Sequence, residues 1–228
     1  GQIDVKYMTA KEEDILTSTN LIDKGIVIDR VLESVIANDK IKLNDMLLGD
    51  KNALMVGTRV LGYGPEYTVK LTDPDTTLEV EHSFDLTKLN NVEIDYDSLK
   101  SGKNEFEFTT PNSNNKLKFK ILTHADENNI QKEIDGYKKL AEATGVSNEM
   151  TTRLKYQIIS VDGDEKQETI NEFVDNRFLA LDTREFRKYI KSVTPDIDFT
   201  QEYTSQIGET HKVNIPIGVR FFWPDSEV

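Results

Sequence analysis

The chain has 228 residues, of which 37% are hydrophobic and 30% charged, with no cysteine and a formal net charge of −13. That length can bury a core, as one large domain or two small ones. The charge argues against a nucleic-acid ligand and an anionic membrane surface, since both need clustered Lys and Arg, and the missing cysteine removes disulfides, thiolate nucleophiles and Cys-held metals. No run reaches transmembrane length, and no charged-then-apolar leader is present. Gly1 rather than Met precedes an alternating, strand-like stretch over 2–7, so a preceding segment is expected.

Thr9-Ala10-Lys11-Glu12 has the spacing of a capping box and predicts a short helix to about Leu16. Asp23-Lys24-Gly25 breaks the chain, and Ile28, Val31, Leu32, Val35 and Ile36 then recur at helical spacing. A turn near 44–48 ends at Gly49. Asp50 is read as the cap of a helix with Ala53, Leu54, Val60 and Leu61 inward, stopped at Gly62-Tyr63-Gly64-Pro65.

The pattern then changes from helical to alternating. Residues 66–71 and 78–86 form one expected hairpin around a polar turn at 72–77. Residues 105–108 and 116–122 form a second across 111–115, with Phe106, Phe108, Leu117, Phe119 and Ile121 on its apolar face. Lys116, Lys118 and Lys120 share the other face, read as solvated.

A helix over 126–143 follows, with Ile130, Ile134, Tyr137 and Leu140 inward. Ser147 is read as capping another, carrying Met150, Leu154, Ile158 and Ile159. After the turn Asp162-Gly163-Asp164 come Ile170, Phe173 and Val174, and then a helix capped near Asp182 with Phe186, Tyr189 and Ile190. The last hairpin spans 199–203 and 212–217 around 205–209, and repeats the first in length and in following a helical block.

Val213, Ile215 and Ile217 alternate on the final strand, and Pro216 marks an edge or an end. Beyond it stand Arg220 and three consecutive rings, Phe221, Phe222 and Trp223, the last being the only tryptophan. An extended segment cannot turn all three rings to one core. They form either a latch on the chain's own core or an anchor for another subunit, and Arg220, Phe221, Phe222 and Trp223 are the candidate partner-binding residues.

A search for chemistry returns nothing. His82, His124 and His211 are scattered without metal-ligand spacing. No phosphate-binding loop, zinc-protease helix, nucleophile elbow or kinase set is present. Asp162-Gly163-Asp164 lacks a calcium ligand ladder and reads as a solvated loop. With 41 acidic residues, a pair of carboxylates carries no signal. Three hairpins with open edges and a ring-rich end suit a protein that binds neighbours.

Several blocks, in order, resemble one family. Met8-Thr9-Ala10-Lys11-Glu12-Glu13-Asp14-Ile15-Leu16 with Lys24-Gly25 and Ile28-Asp29-Arg30-Val31-Leu32 is similar to the opening of T4-type tailed-phage baseplate hub subunits and assembly proteins. Leu47-Leu48-Gly49-Asp50-Lys51-Asn52-Ala53-Leu54 and Arg59-Val60-Leu61-Gly62-Tyr63-Gly64-Pro65-Glu66-Tyr67 are similar to its middle. Thr194-Pro195-Asp196, Ile215-Pro216-Ile217-Gly218-Val219 and Phe221-Phe222-Trp223-Pro224 resemble its close. The likeness is dense over 1–86 and 181–224 and thin over 90–180.

The resemblance implies C-x-x-C turns on the two end hairpins in many members, together holding one zinc. The matching positions here are Asp73, Thr76, Thr204 and Ile207, so no zinc and no other metal or cofactor is expected, and backbone pairing and apolar packing must join the hairpins. The expected fold is α+β, with helical N-terminal and central blocks and three hairpins, the first and last packed as a cysteine-free, zinc-ribbon-like unit. Expected divisions are 1–90, 91–180 and 181–228, or one composite domain. The expected role is a structural or assembly component of a contractile-tail baseplate, at the hub or its junction with the wedges. It would bind other baseplate and tail proteins, with no nucleic acid, membrane or small-molecule substrate, in the virion tail and, during assembly, the host cytoplasm. The alternatives are a transient assembly chaperone, a hydrolase acting on cell-wall material, and a host-derived regulator that sequesters basic partners.

Overall fold

Thr9 and Glu12 close the capping box that their spacing predicts. In the computed structural model, which describes residues 2–95, 102–145, 147–217 and 221–223 (138–144 by backbone alone), Glu12 Oε2 accepts from Thr9 N at 2.8 Å and Thr9 Oγ1 at 2.7 Å. This starts α1 (Ala10–Leu16). Unanticipated from the sequence, a short α2 (Thr19–Asp23) precedes the break at Gly25, where φ is +68°. The apolar stripe of α3 (Val27–Val35) buries Val31, Leu32 and Val35 completely.

The next helix, α4 (Leu48–Tyr63), begins before Asp50, which therefore sits inside the first turn rather than capping it. A carboxylate there still faces the positive end of the helix dipole. Leu54 and Val56 are buried, but Leu61, expected inside, is 43% exposed. Arg59 goes inward instead, donating to the carbonyls of Gly64 at 2.8 Å and Glu66 at 2.9 Å. Those carbonyls lie just past the helix end, where backbone acceptors otherwise lack partners.

The chain divides into two units. One comprises Gly1–Leu43, Gly49–Val92 and Asp196–Val228; the other comprises Asn44–Leu48 and Glu93–Pro195. In the second unit, α8 (Ala180–Val193) places Phe186 and Val193 in the core.

In the first unit, β1 (Glu66–Thr72) and β2 (Glu79–Asp85) pair antiparallel from Glu66↔Asp85 to Thr72↔Glu79. The strand pair β3 (Asn90–Asn91) and β7 (Ile197–Asp198) is short. The last hairpin is β8 (Thr200–Thr204) with β9 (Thr210–Asn214), in register from Thr200↔Asn214 to Thr204↔Thr210. Leu16, Val31, Tyr67, Phe84, Leu86 and Ile215 belong to one buried cluster. Ile217, expected to share the face of Ile215, is 38% exposed.

In the second unit, β4 (Phe106–Thr109), β5 (Lys116–Phe119) and β6 (Ile158–Val161) form an antiparallel sheet in that order. Ile158 and Ile159, expected on a helix, lie on β6: α6 (Glu149–Gln157) stops before them, and a β-branched pair favours the extended chain. Helices α5 (His124–Thr144), α7 (Gln167–Glu172) and α8 join the sheet, with one π-helical turn at Phe173–Arg177. Phe119 is fully buried, with ring centroids 5.3 Å from Phe106 and 5.1 Å from Phe186. Tyr137 and Met150 are 45% and 49% exposed, against expectation. They sit about two turns and one turn from the buried Ile130 and Leu154 on the same stripes, so the helices outrun the core. The side chain of Leu140 lies outside the described residues.

The fold is α+β, with helices and small antiparallel sheets. Among the described residues no helix is long and apolar enough to cross a membrane.

Candidate functional site

The first hairpin turn opens with Asp73, which is fully buried. Its backbone N–H donates to Leu78 O, and Thr77 N–H donates back to Asp73 O, each at 2.9 Å. The side chain curls over the same turn, so that Oδ1 accepts from Asp75 N at 3.0 Å and Thr76 N at 2.8 Å. This is the local turn that aspartate favours. The other oxygen leaves the hairpin. Oδ2 accepts from Tyr203 Oη on β8 at 2.7 Å and from Gln206 N in the last turn at 3.0 Å. One carboxylate therefore bonds both hairpins.

Around it the contacts continue. His211 Nε2 and Asp75 Oδ2 are 2.8 Å apart. The ring of His82 meets Phe84 and Tyr203 edge-on at 4.7 and 5.1 Å. Gln201 donates to Asp85 O at 2.8 Å, and Tyr67 Oη donates to Pro216 O at 3.0 Å. Burial would raise the Asp73 carboxyl, but its four hydrogen bonds outweigh that and hold it well below the usual carboxylate range. The bond to Asp73, helped by burial, pushes the Tyr203 hydroxyl up to about 12.

The ring-rich end returns to this same unit. Phe221 and Phe222 are 1% and 2% exposed. Phe221 meets Tyr67 edge-on at 5.1 Å and Phe222 at 5.2 Å. Of the two alternatives, latch or anchor, the burial of these two rings among the chain's own apolar side chains has the geometry of the latch. Trp223 is half-buried and donates Nε1–H to Leu16 O at 3.2 Å. Arg220 lies outside the described residues.

Other acidic side chains are engaged within the chain as well. Asp162, read as part of a solvated loop, accepts from Lys116 N at 2.7 Å and Asn115 Nδ2 at 2.9 Å. Lys118 stands opposite Glu107 across the sheet, and Lys120 pairs with Asp126 at 2.7 Å, so the lysine face is matched by acids. Among the described residues no group of three or more His, Asp or Glu stands close enough to hold a metal ion.

The family model described as T4 bacteriophage base plate protein matches residues 1–223, which includes both end hairpins and the ring-rich end. The chain belongs to the T4 bacteriophage base plate protein family. No curated protein and no solved structure matches it. It is a phage baseplate protein, a component of the virion tail.

For a baseplate protein of this kind, the resemblance implied a zinc held by four thiolates between the end hairpins. The side chains present do not fit one. Asp73 already accepts four hydrogen bonds. Ile207 has no donor atom and is 66% exposed, and Thr204 is exposed on its strand. The buried residue that opens the second turn is Ser205, one position beyond the expected Thr204. Its N–H donates to Glu209 O at 2.8 Å, as Asp73 does in its own turn. The role of Asp73 could not be seen in advance, because the clue, an aspartate opening a turn, is common in any loop. Its partners Tyr203 and Gln206 are 130 and 133 residues away.

Proposed function

We propose that this chain is a structural subunit of a contractile-tail baseplate, at the hub or its junction with the wedges, and that it works by binding other baseplate proteins rather than by turning over a substrate. The observation that carries the reading is at the hairpin turns. Leu78, beside the first turn, is 58% exposed, and Ile207, in the second, is 66% exposed, while Asp73 bonds the two turns together. Large aliphatic side chains held out on a fixed frame cost little ordering entropy when they bind. The acidic residues Glu79, Glu81 and Glu209 flank them, which favours an apolar socket with a basic rim. The two end hairpins then act as one zinc-ribbon-like tip without a metal. The open edges of β1, β2, β8 and β9 offer unpaired backbone to a partner strand. At the C-terminal end, Trp223 and Arg220 take the anchoring role first expected of all four residues, with Phe221 and Phe222 fixing the position from inside.

The experiment is assembly with Leu78→Asp and Ile207→Asp combined. The double variant is expected to melt like the parent yet be lost from purified tails. Full incorporation of the double variant would overturn the reading. Quantitative mass spectrometry of purified tails is expected to find the parent chain at a fixed copy number; its absence from finished tails would make it an assembly factor instead.

A further inference from the structure

We propose that the two end hairpins of this chain are cross-linked by the Asp73 carboxylate acting as an anion hub, in the place where the family resemblance implies a metal centre.

A carboxylate has about four lone-pair positions. At Asp73 four donors fill them: Asp75 N, Thr76 N, Tyr203 Oη and Gln206 N, between 2.7 and 3.0 Å. Two belong to the residue's own turn, one to β8 and one to the opposite turn. The same two turns that a four-thiolate site would tie together are thus tied by one side chain. The polarity is reversed. A zinc site surrounds a cation with anions. Here N–H and O–H dipoles converge on an anion, and a divalent ion placed among them would meet the positive ends of every one. The remaining candidates for ligation cannot compensate, since Ser205 offers only a neutral hydroxyl and Ile207 offers no donor.

A buried carboxylate with fewer partners would be costly, and removing one partner of such a set leaves polar atoms without solvent or bonds. The hub is therefore a cooperative lock. It goes beyond the backbone pairing and apolar packing that the loss of the cysteines would otherwise leave, and it frees the junction from both zinc supply and thiol oxidation. The neighbouring pair of Asp75 and His211 adds a second link between the same hairpins, at 2.8 Å.

The test uses the full chain. Zinc content of purified protein is measured directly, and thermal melting is followed in chelator and in added zinc chloride. The expected result is no stoichiometric zinc and a midpoint unchanged by either addition; zinc that a chelator strips with a fall in midpoint would overturn the proposal. Two variants probe the hub itself. Asp73→Asn removes the charge and one acceptor, and Tyr203→Phe removes a single donor and is the milder change. Both are expected to lower the urea midpoint, and the double variant is expected to lose less than their sum, because each partner matters only while the other is present. Amide exchange at Gln206 in Tyr203→Phe is expected to quicken by about tenfold or more. Additive variants, or a Gln206 amide that exchanges as in the parent, would show that the carboxylate is a bystander.

Discussion

Asp182 holds Asn112 from 70 residues away in the chain. Its Oδ1 accepts from Asn112 N at 2.9 Å and from Asn112 Nδ2 at 2.8 Å, while Oδ2 accepts from Ser113 N at 3.0 Å and Ser113 Oγ at 2.7 Å. A residue read from the sequence as a helix cap is thus a clamp on the turn between β4 and β5, in the same four-donor form as Asp73. Asp182→Ala would remove the buried acceptor of four hydrogen bonds, two from exposed Asn112 and two from half-buried Ser113. Its thermal midpoint is expected to fall by roughly 5–10 °C, and hydrogen exchange at Asn112 and Ser113 should rise with it. Asp182→Asn, which keeps one acceptor, is expected to fall by less.

These two carboxylates give the protein an acid limit. Burial would raise them, but hydrogen bonds hold both below the ordinary aspartate value of 3.8. A group whose folded value is depressed contributes stability above its unfolded value and loses it as pH falls through the folded one. The urea midpoint is therefore expected to be flat down to about pH 5 and then to drop, most steeply below the ordinary carboxylate range. Tyr203 sets the opposite limit, because its hydroxyl is pushed up to about 12 by the bond to Asp73. Its contribution is complete below the ordinary value of 10.0 and is lost as pH rises through the folded one. Asp73→Asn should flatten part of the acid arm, and Tyr203→Phe should flatten the alkaline arm.

Thr77 carries strain at the first turn. It is an exposed β-branched residue at φ +59°, whereas the corresponding position of the last turn, Gly208, has φ +93° and no side chain. Left-handed backbone costs an L-residue about 1–2 kcal/mol, and glycine escapes that at some entropic cost. Thr77→Gly is expected to raise stability by about 0.5–1 kcal/mol, measured by urea denaturation. Thr77→Ala keeps the Cβ clash and should gain less.

Local signals in the sequence locate the elements well where they are self-contained. The capping box at Thr9 and Glu12, the stripe of α3 and the alternation of Phe106, Leu117 and Phe119 need no distant partner to be read. The errors come where a partner outside the element decides. Arg59 is charged and mid-helix, yet it turns inward because carbonyls at Gly64 and Glu66 wait for it. Ile158 continues a helical stripe but pairs with Phe119 as a strand. Tyr137 fits its stripe, but the core ends before the helix does. The candidate site was legible as a pair of echoing turns and not as a carboxylate hub, since its bonds span more than half of the chain.

On the proposed reading, the ring-rich end separates stability from assembly within three consecutive residues. Phe222 is 2% exposed among the chain's own apolar side chains, so Phe222→Ala should cost about 3–5 kcal/mol. Trp223 is half-buried and its indole N–H reaches Leu16 O. Trp223→Phe removes that bond while keeping an aromatic ring, and should cost about 1 kcal/mol. If Trp223 anchors a partner, Trp223→Ala should reduce incorporation into tails by far more than its effect on melting accounts for, whereas Phe222→Ala should reduce both in proportion. Measuring melting and tail incorporation on the same preparations decides the matter, and equal proportionality in the two variants would leave Trp223 as a third part of the latch with no partner of its own.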